Sequence, residues 1–311
     1  MRTIVTGGAG FIGSNLVDAL LDRGDEVIVV DNLSTGRESN LHSALERGAA
    51  LLRLDICEGD ALAELVARER PEVIFHLAAQ IDVRKSVDDP AFDARVNVEG
   101  TVNVLEAAHR AGASRVVNTS TGGAIYGDVE TIPTPETQQP QPMAGYGTSK
   151  YCAEQYCGLY TRLHGLSTAT MRLGNVFGPR QDPLGEAGVI AIFCGKLNEG
   201  GQATVYGDGT QTRDYIYVGD VVRAQLLAAD RPDVHGPINV GTGRETSVLQ
   251  LADALRDATG RSDFRPEHAG PRLGELHRSC LDVSLARELL GFEARVDVAE
   301  GIRLTVAAEV H

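Results

Sequence analysis

Tyr146 and Lys150 open the run Tyr146-Gly-Thr-Ser-Lys150 and stand four residues apart in a stretch of helical character that continues through Leu163. On a helix that spacing puts both side chains on one face. A phenol ordinarily titrates near 10, and a cation within about 4–6 Å lowers a neighbouring acid by roughly 1–3 units. The spacing therefore predicts a tyrosine brought toward neutrality, able to act as a general base. An isolated Tyr-x-x-x-Lys is more often an aromatic and a lysine on a solvated helix face, so its surroundings decide its meaning. Upstream, the run Asn118-Thr119-Ser120-Thr121-Gly122-Gly123 ends a strand-like segment in hydroxyls. One of these can hold a substrate oxygen and share its proton with Tyr146; Thr121 is the first candidate and Ser120 the second.

These side chains need a scaffold. Short β-branched runs at Thr3 to Thr6, Glu26 to Asp31, Ala50 to Asp55, Glu72 to Leu77 and Arg115 to Thr119 alternate with helical stretches. Strands separated by helices imply right-handed crossovers and a parallel sheet covered on both faces, the doubly wound (Rossmann) form of α/β architecture. Residues 1–173 form the expected nucleotide-binding lobe. After Leu173 the rhythm loosens and Gly and Pro become denser around Gly178 to Gly188, so 174–311 is assigned mainly to a smaller substrate-binding lobe. The helix Val218 to Ala229 and the strand Ile238 to Val240 suggest that about 214–242 rejoins the first lobe.

The strand Thr3 to Thr6 runs into Gly7-Gly8-Ala9-Gly10-Phe11-Ile12-Gly13 and then a helix from Ser14 to Arg23. Gly7 allows a tight turn, Gly10 lets a pyrophosphate approach the backbone, and Gly13 permits close packing of helix on strand. The unpaired N–H groups of the helix start then face the phosphates. Asp31 ends the second strand 18 residues beyond Gly13, where an acid binds the hydroxyls of the adenosine ribose. Its carboxylate would repel a 2′-phosphate, and Asn32 rather than an arginine follows, so NAD is favoured over NADP. Asp55 is a candidate for the adenine edge. Ala78 and Ala79 leave room for cofactor beside the backbone, and Phe11, Ile12, Ile56 and Leu77 complete the expected cofactor-binding set.

A formal net charge of −14 offers no basic stripe for nucleic acid. A phosphate-bearing substrate would need particular arginines. Cys57, Cys152, Cys157, Cys194 and Cys280 form no Cys-x-x-Cys pair and no zinc-like alternation with His, and read as reduced thiols with no metal site. No signal segment is visible, and no apolar run reaches the ~20 residues of a membrane helix. The expectation is a soluble cytoplasmic protein.

In this order, Gly7 to Gly13, Asp31, the hydroxyl-rich strand end and Tyr146 to Lys150 resemble the extended short-chain dehydrogenases/reductases over nearly the whole chain. Within that group, Ser120 to Gly127, Asn175-Val-Phe-Gly-Pro-Arg-Gln-Asp-Pro, Gly185-Glu-Ala-Gly-Val, Gly207-Asp-Gly and Arg213-Asp-Tyr-Ile-Tyr-Val are most similar to the bacterial UDP-glucose 4-epimerases. The resemblance implies a tightly retained NAD, a UDP-sugar substrate, oxidation at C4 to a transient 4-keto sugar, and return of the hydride to its other face. It implies that Asn175, Arg213 and Arg272 contact the diphosphate side of the substrate, planar guanidinium forks being suited to phosphate oxygens. It also implies a homodimer through helices flanking the active-site helix. Asn97 matches a family asparagine that reaches the cofactor, with structural capping as the alternative.

Two departures stand out. Gly122 occupies the place where many of these epimerases carry a serine. Ser279 falls where a bulky tyrosine often guards the sugar's C2 substituent, which predicts room for an N-acetyl group. Rival activities are 4,6-dehydration, for which Gly122-Gly123 stands where related dehydratases place Asp-Glu, and epimerisation or decarboxylation of UDP-glucuronate. An alcohol dehydrogenase that releases NADH and a non-catalytic NAD-sensing module are the remaining alternatives.

Overall fold

The computed structural model describes residues 1–183, 188–198, 201–261, 263–270 and 276–309. In chain order the strands are β1 (Arg2–Thr6), β2 (Glu26–Asp31), β3 (Ala50–Arg53), β4 (Val73–His76), β5 (Arg115–Thr121), β6 (Ser167–Leu173), β7 (Asn175–Phe177), β8 (Thr204–Tyr206), β9 (Thr212–Arg213), β10 (Tyr215–Tyr217), β11 (Gly236–Val240), β12 (Thr246–Ser247) and β13 (Glu267–Ala269). Seven lie side by side in one sheet in the order β11-β6-β5-β4-β1-β2-β3, every neighbouring pair parallel. The strand order reverses between β1 and β4, and the glycine turn that follows β1 sits at that switch point, where open α/β sheets bind their ligands.

The apolar runs of the sequence become strands buried on both faces because alternate side chains enter two cores. Val27 and Val29 pack with Leu16, Val17 and Leu20 of the helix Phe11–Asp22. Ile28 and Val30 point the other way, toward Val104 and Leu105 of the helix Gly100–Ala111. Each such side chain contributes about 1.5–3 kcal/mol on burial, enough to fix register, since a slip of one residue would exchange the two faces.

Past Leu173 the chain leaves this sheet and returns. β11 pairs with β6 from Gly236 opposite Ala169 to Val240 opposite Leu173, and the helix Val218–Ala229 packs on the helix Phe11–Asp22. Between and after these stretches, three two-stranded pairs form: β7 with β10, β9 with β12, and β8 with β13. A third core holds them together around Phe177, Leu251, Ile302 and the edge-on pair Phe193 and Phe264, whose ring centroids lie 6.0 Å apart.

Element ends differ from the sequence reading by a residue or two. β3 stops at Arg53, so Asp55 lies in the loop beyond it, and the first helix begins at Phe11 rather than Ser14. β5 runs on to Thr121 because Thr119, Ser120 and Thr121 pair with Met171, Arg172 and Leu173. The hydroxyl run is therefore the end of the strand itself. Among the described residues no helix is long and apolar enough to cross a membrane, and no disulfide joins any of the five cysteines.

Candidate active site

The glycine turn is shaped by backbone approach. Gly7 has φ +71°, and a Cβ there would lie 2.6 Å from the Ala78 nitrogen; a Cβ on Gly13 would lie 2.2 Å from the Gly7 carbonyl oxygen. Both positions require glycine, the first for conformation and the second for space. At Gly10 the nearest obstacle is the Gly7 oxygen at 3.2 Å. Asp31 reaches back to the turn: its Oδ2 accepts from the Ala9 N–H at 2.9 Å and its Oδ1 from the Leu33 N–H at 2.8 Å. Beside it, Asn32 Nδ2 donates to Asp55 Oδ2 at 2.9 Å. Burial raises Asp55, but bonds from the Cys57 N–H and Asn32 outweigh it and hold the carboxyl below its usual range. Gly7 presses against Leu77 and Ala78, which places that pair and the neighbouring Ala79 at the turn.

Tyr146 stands in the first turn of the helix Gly145–His164. Glycines on either side let that turn dock closely: a Cβ on Gly145 would lie 2.5 Å from the Ser86 carbonyl oxygen, and one on Gly147 would lie 2.5 Å from that of Ala124. Tyr146 lines a cleft of about 360 Å³ together with Phe11, Ile12, Ile81, Asn175 and Tyr215. Thr121 caps the short helix Gly122–Ile125, its Oγ1 accepting from the Ala124 N–H at 3.2 Å. The same hydroxyl lies near the Tyr146 phenol and favours its ionised form. Seen from Gly123, the Asn175 Oδ1 and Thr121 Oγ1 lie 3.3 and 4.0 Å from where a Cβ would stand. Phenol, hydroxyl and amide therefore meet at one end of the cleft. Ser120 is buried at 3% exposure and its Oγ has no partner in the structure.

Lys150 lies one turn below Tyr146 and is 4% exposed. The prediction that its charge lowers the phenol is reversed. Burial pushes Tyr146 up to about 12, the Asp93 carboxylate adds to that, and the neighbouring Thr121 hydroxyl only partly opposes it. Burial pushes Lys150 down to about 8, with Glu154, Cys157 and Asp93 pulling it back up. Desolvation of both groups outweighs their helical proximity. His76, on β4, stays neutral: burial and then the Lys150 charge hold it down to about 3, and its ring nitrogens bond Thr6 Oγ1 at 2.7 Å and Thr101 Oγ1 at 2.9 Å.

Two predicted cofactor residues face elsewhere. The Ile56 side chain packs into the core against Gly100. Asn97 is 1% exposed, its Oδ1 accepting from the Gln80 N–H and its Nδ2 donating to the Gln80 carbonyl, Asp93 Oδ1 and Ser149 Oγ. It braces the loop after β4 against the helix of Lys150. On the substrate side, Arg213 on β9 donates from Nη1 to the Thr212 carbonyl at 2.7 Å, and half-buried Ser279 donates its N–H to the same carbonyl at 3.2 Å. Arg272 lies outside the described residues, as does most of Gly185-Glu-Ala-Gly-Val.

A family model described as NAD dependent epimerase/dehydratase family matches residues 3–241. The chain belongs to that family. A UDP-glucose 4-epimerase from Mycolicibacterium smegmatis is 50% identical over 307 residues, covering 98% of this chain and 97% of that protein. Among solved structures, a UDP-glucose 4-epimerase from Thermotoga maritima, crystallised with UDP-glucose, is 45% identical with a TM-score of 0.94, covering 100% of this chain and 99% of the other. A UDP-N-acetylglucosamine 4-epimerase from Methanobrevibacter ruminantium, in complex with UDP-N-acetylmuramic acid, is 31% identical with a TM-score of 0.94, covering 99% and 98%.

One residue inside the Arg213-Asp-Tyr-Ile-Tyr-Val run has a structural part that the motif did not reveal. Buried Asp214, between β9 and β10, accepts from the N–H groups of Thr242, Gly243 and Leu281 at 2.8, 3.1 and 3.3 Å, and its own carbonyl accepts from the Asn175 N–H at 2.7 Å. It joins the segments that carry Arg213, Asn175 and Ser279. Its place beside Arg213 was a sequence signal; its partners, up to 67 residues away, were not.

Proposed function

We propose that this chain is an NAD-dependent UDP-hexose 4-epimerase that interconverts UDP-glucose and UDP-galactose. The observation that carries the reading is one cleft lined both by Tyr146 and Asn175 and by Phe11 and Ile12, the start of the glycine-turn helix, with the Thr121 hydroxyl near the phenol. The turn fits a dinucleotide: Cβ-free backbone at Gly7 and Gly13, an approachable Gly10, helix N–H groups, and the Asp31 carboxylate for the ribose. Asn32, Asp55, Leu77, Ala78 and Ala79 complete that side, in residues 1–173 with 214–242 rejoining them. The bound cofactor supplies reversible hydride uptake at C4 of the sugar, together with a positive charge.

At rest Tyr146 is protonated. Such a phenol works as a base only when its ionised form is favoured, and a nearby positive charge does this. Lys150, titrating near 8, still carries its proton at neutral pH and contributes to that charge. Thr121 would hold the sugar's 4-hydroxyl and relay its proton, taking it up as it gives its own to the Tyr146 phenolate; the Tyr146 phenol would return a proton along the same path once the sugar has turned. Asn175, Arg213 and Arg272 hold the diphosphate in the lobe formed mainly by 174–311. Ser279 leaves room for an N-acetyl group at C2.

The chain works in the cytoplasm as a homodimer. The helices Gly100–Ala111 and Gly145–His164 expose Tyr156, Leu159 and Leu163 and stack His109, Tyr160 and His164, with centroids 4.3 Å apart for the two histidines and 5.0 Å for Tyr160 and His164. An exposed apolar and aromatic face of this kind suits a partner helix pair.

The purified protein, denatured, should release NAD. Fresh protein incubated with UDP-glucose should form UDP-galactose with no NADH in solution, and UDP-N-acetylglucosamine should also turn over. Stoichiometric NADH, a dehydrated sugar, or carbon dioxide from UDP-glucuronate with no epimer of UDP-glucose would each replace this reading.

A further inference from the structure

We propose that Asp93 is a positioning residue that sets the charge state of the Tyr146 and Lys150 pair, an inference that rests on reading the cleft as an epimerase site. Two buried carboxylates flank that pair, and they differ in how their charge is met. Glu154 follows Lys150 by one turn of the same helix, but Arg172 on β6 clasps it. The guanidinium Nε donates to Oε1 and Oε2 at 3.0 and 3.1 Å and Nη2 donates to Oε2 at 2.6 Å, with both side chains 3% exposed. Arg172 also donates from Nη1 to the Tyr126 hydroxyl at 2.9 Å. The charge of Glu154 is thus largely offset.

Asp93, in the helix Pro90–Ala94, is 1% exposed and receives only neutral amides: Gln80 Nε2 at 2.8 Å and Asn97 Nδ2 at 3.2 Å, both on Oδ1. Among the described residues no cation pairs with it. A buried anion held by neutral donors keeps its field, and low-dielectric surroundings carry that field further than water would. On the active-site helix its field acts on Tyr146 and Lys150, and Glu154, Cys157 and the neutral ring of His76 on β4 are the other titratable groups around Lys150. Arg84, Lys85 and Asp88 on the helix Val83–Asp88, and Arg95 and Glu99 on the turn Arg95–Glu99, are exposed, while Asp82 is half-buried at the start of that helix. Solvent screens the exposed charges.

Asp93 favours the protonated form of both Tyr146 and Lys150, whereas Glu154 acts on Lys150 alone. Its position is fixed through Asn97, which also donates to Ser149 Oγ at 3.0 Å, next in the chain to Lys150. The carboxylate and the ammonium are therefore held on one frame. A neutral residue at 93 lets Lys150 lose its proton at lower pH and lets Tyr146 reach the phenolate at lower pH. Both limbs of the pH–rate profile then move in the same direction.

The chain contains three lysines, Lys85, Lys150 and Lys196, so carbon-13 lysine labelling of the holoenzyme gives few side-chain signals, and Lys150→Arg identifies that of Lys150. In Asp93→Asn the Lys150 titration should fall by roughly one pH unit, and both limbs of kcat/KM for UDP-glucose should move down with it. Asp93→Glu should keep the wild-type titration. Asp93→Ser serves where the amide variant does not fold. A folded neutral variant whose Lys150 titration is unmoved overturns the proposal, as does a loss of rate at every pH with no displacement of the limbs. Failure of the epimerase reading shows itself separately: wild-type protein without turnover, while the Lys150 titration still depends on residue 93.

Discussion

The cofactor side and the substrate side of the cleft are held together by different means. Around the glycine turn, backbone meets backbone: β1 lies between β2 and β4, and Gly7 and Gly13 admit contacts that no side chain would allow. On the substrate side, single buried carboxylates do the joining. Asp214 ties the ends of β9 and β11 to the segment at Leu281, and Asp220 Oδ2 accepts from the N–H groups of Arg295 and Val296, both at 2.9 Å. The first arrangement tolerates most side-chain changes and fails at its glycines. The second fails when one side chain is removed.

The two sides can be taken apart in that order. Asp214→Ala strips an acceptor from three buried or half-buried backbone N–H groups, at about 1–3 kcal/mol each for a donor left unmade, so a total near 4 kcal/mol is expected after water enters. Denaturant unfolding should record that loss, while dinucleotide stays bound and KM for UDP-glucose rises. Gly13→Ala should cost less in stability, about 1–3 kcal/mol of overpacking against the Gly7 carbonyl, yet release the dinucleotide. If Asp214→Ala lost its cofactor while keeping its KM, or Gly13→Ala kept its cofactor, the division between the sides would not hold.

This difference also explains what the sequence could reveal. β2 and β4 were legible because their apolar runs repeat a pattern that burial on both faces demands, and Gly7 to Gly13 because backbone geometry admits few alternatives. The catalytic pair was legible from one helical turn of spacing. Its electrostatics were not: Lys150 and Tyr146 are displaced by burial and by Asp93, which lies 53 residues before Tyr146 and reaches it only through the fold. For Asn97, where the sequence left a structural role open beside cofactor contact, and for Ile56, the deciding contacts came from the fold: the packing of Gly100, Gln80 and Ser149 turns both side chains inward. Glu154, four residues after Lys150, was within reach of the same helical reading that found Tyr146.

The account stands on a phenol that exchanges the proton of the sugar while contributing nothing needed to hold the dinucleotide. Tyr146→Phe removes one oxygen from a half-buried ring and tests both halves at once. Interconversion of UDP-glucose and UDP-galactose should fall by about 10²- to 10⁴-fold, with NAD still bound to the folded variant. Turnover equal to that of the unmodified chain would contradict it.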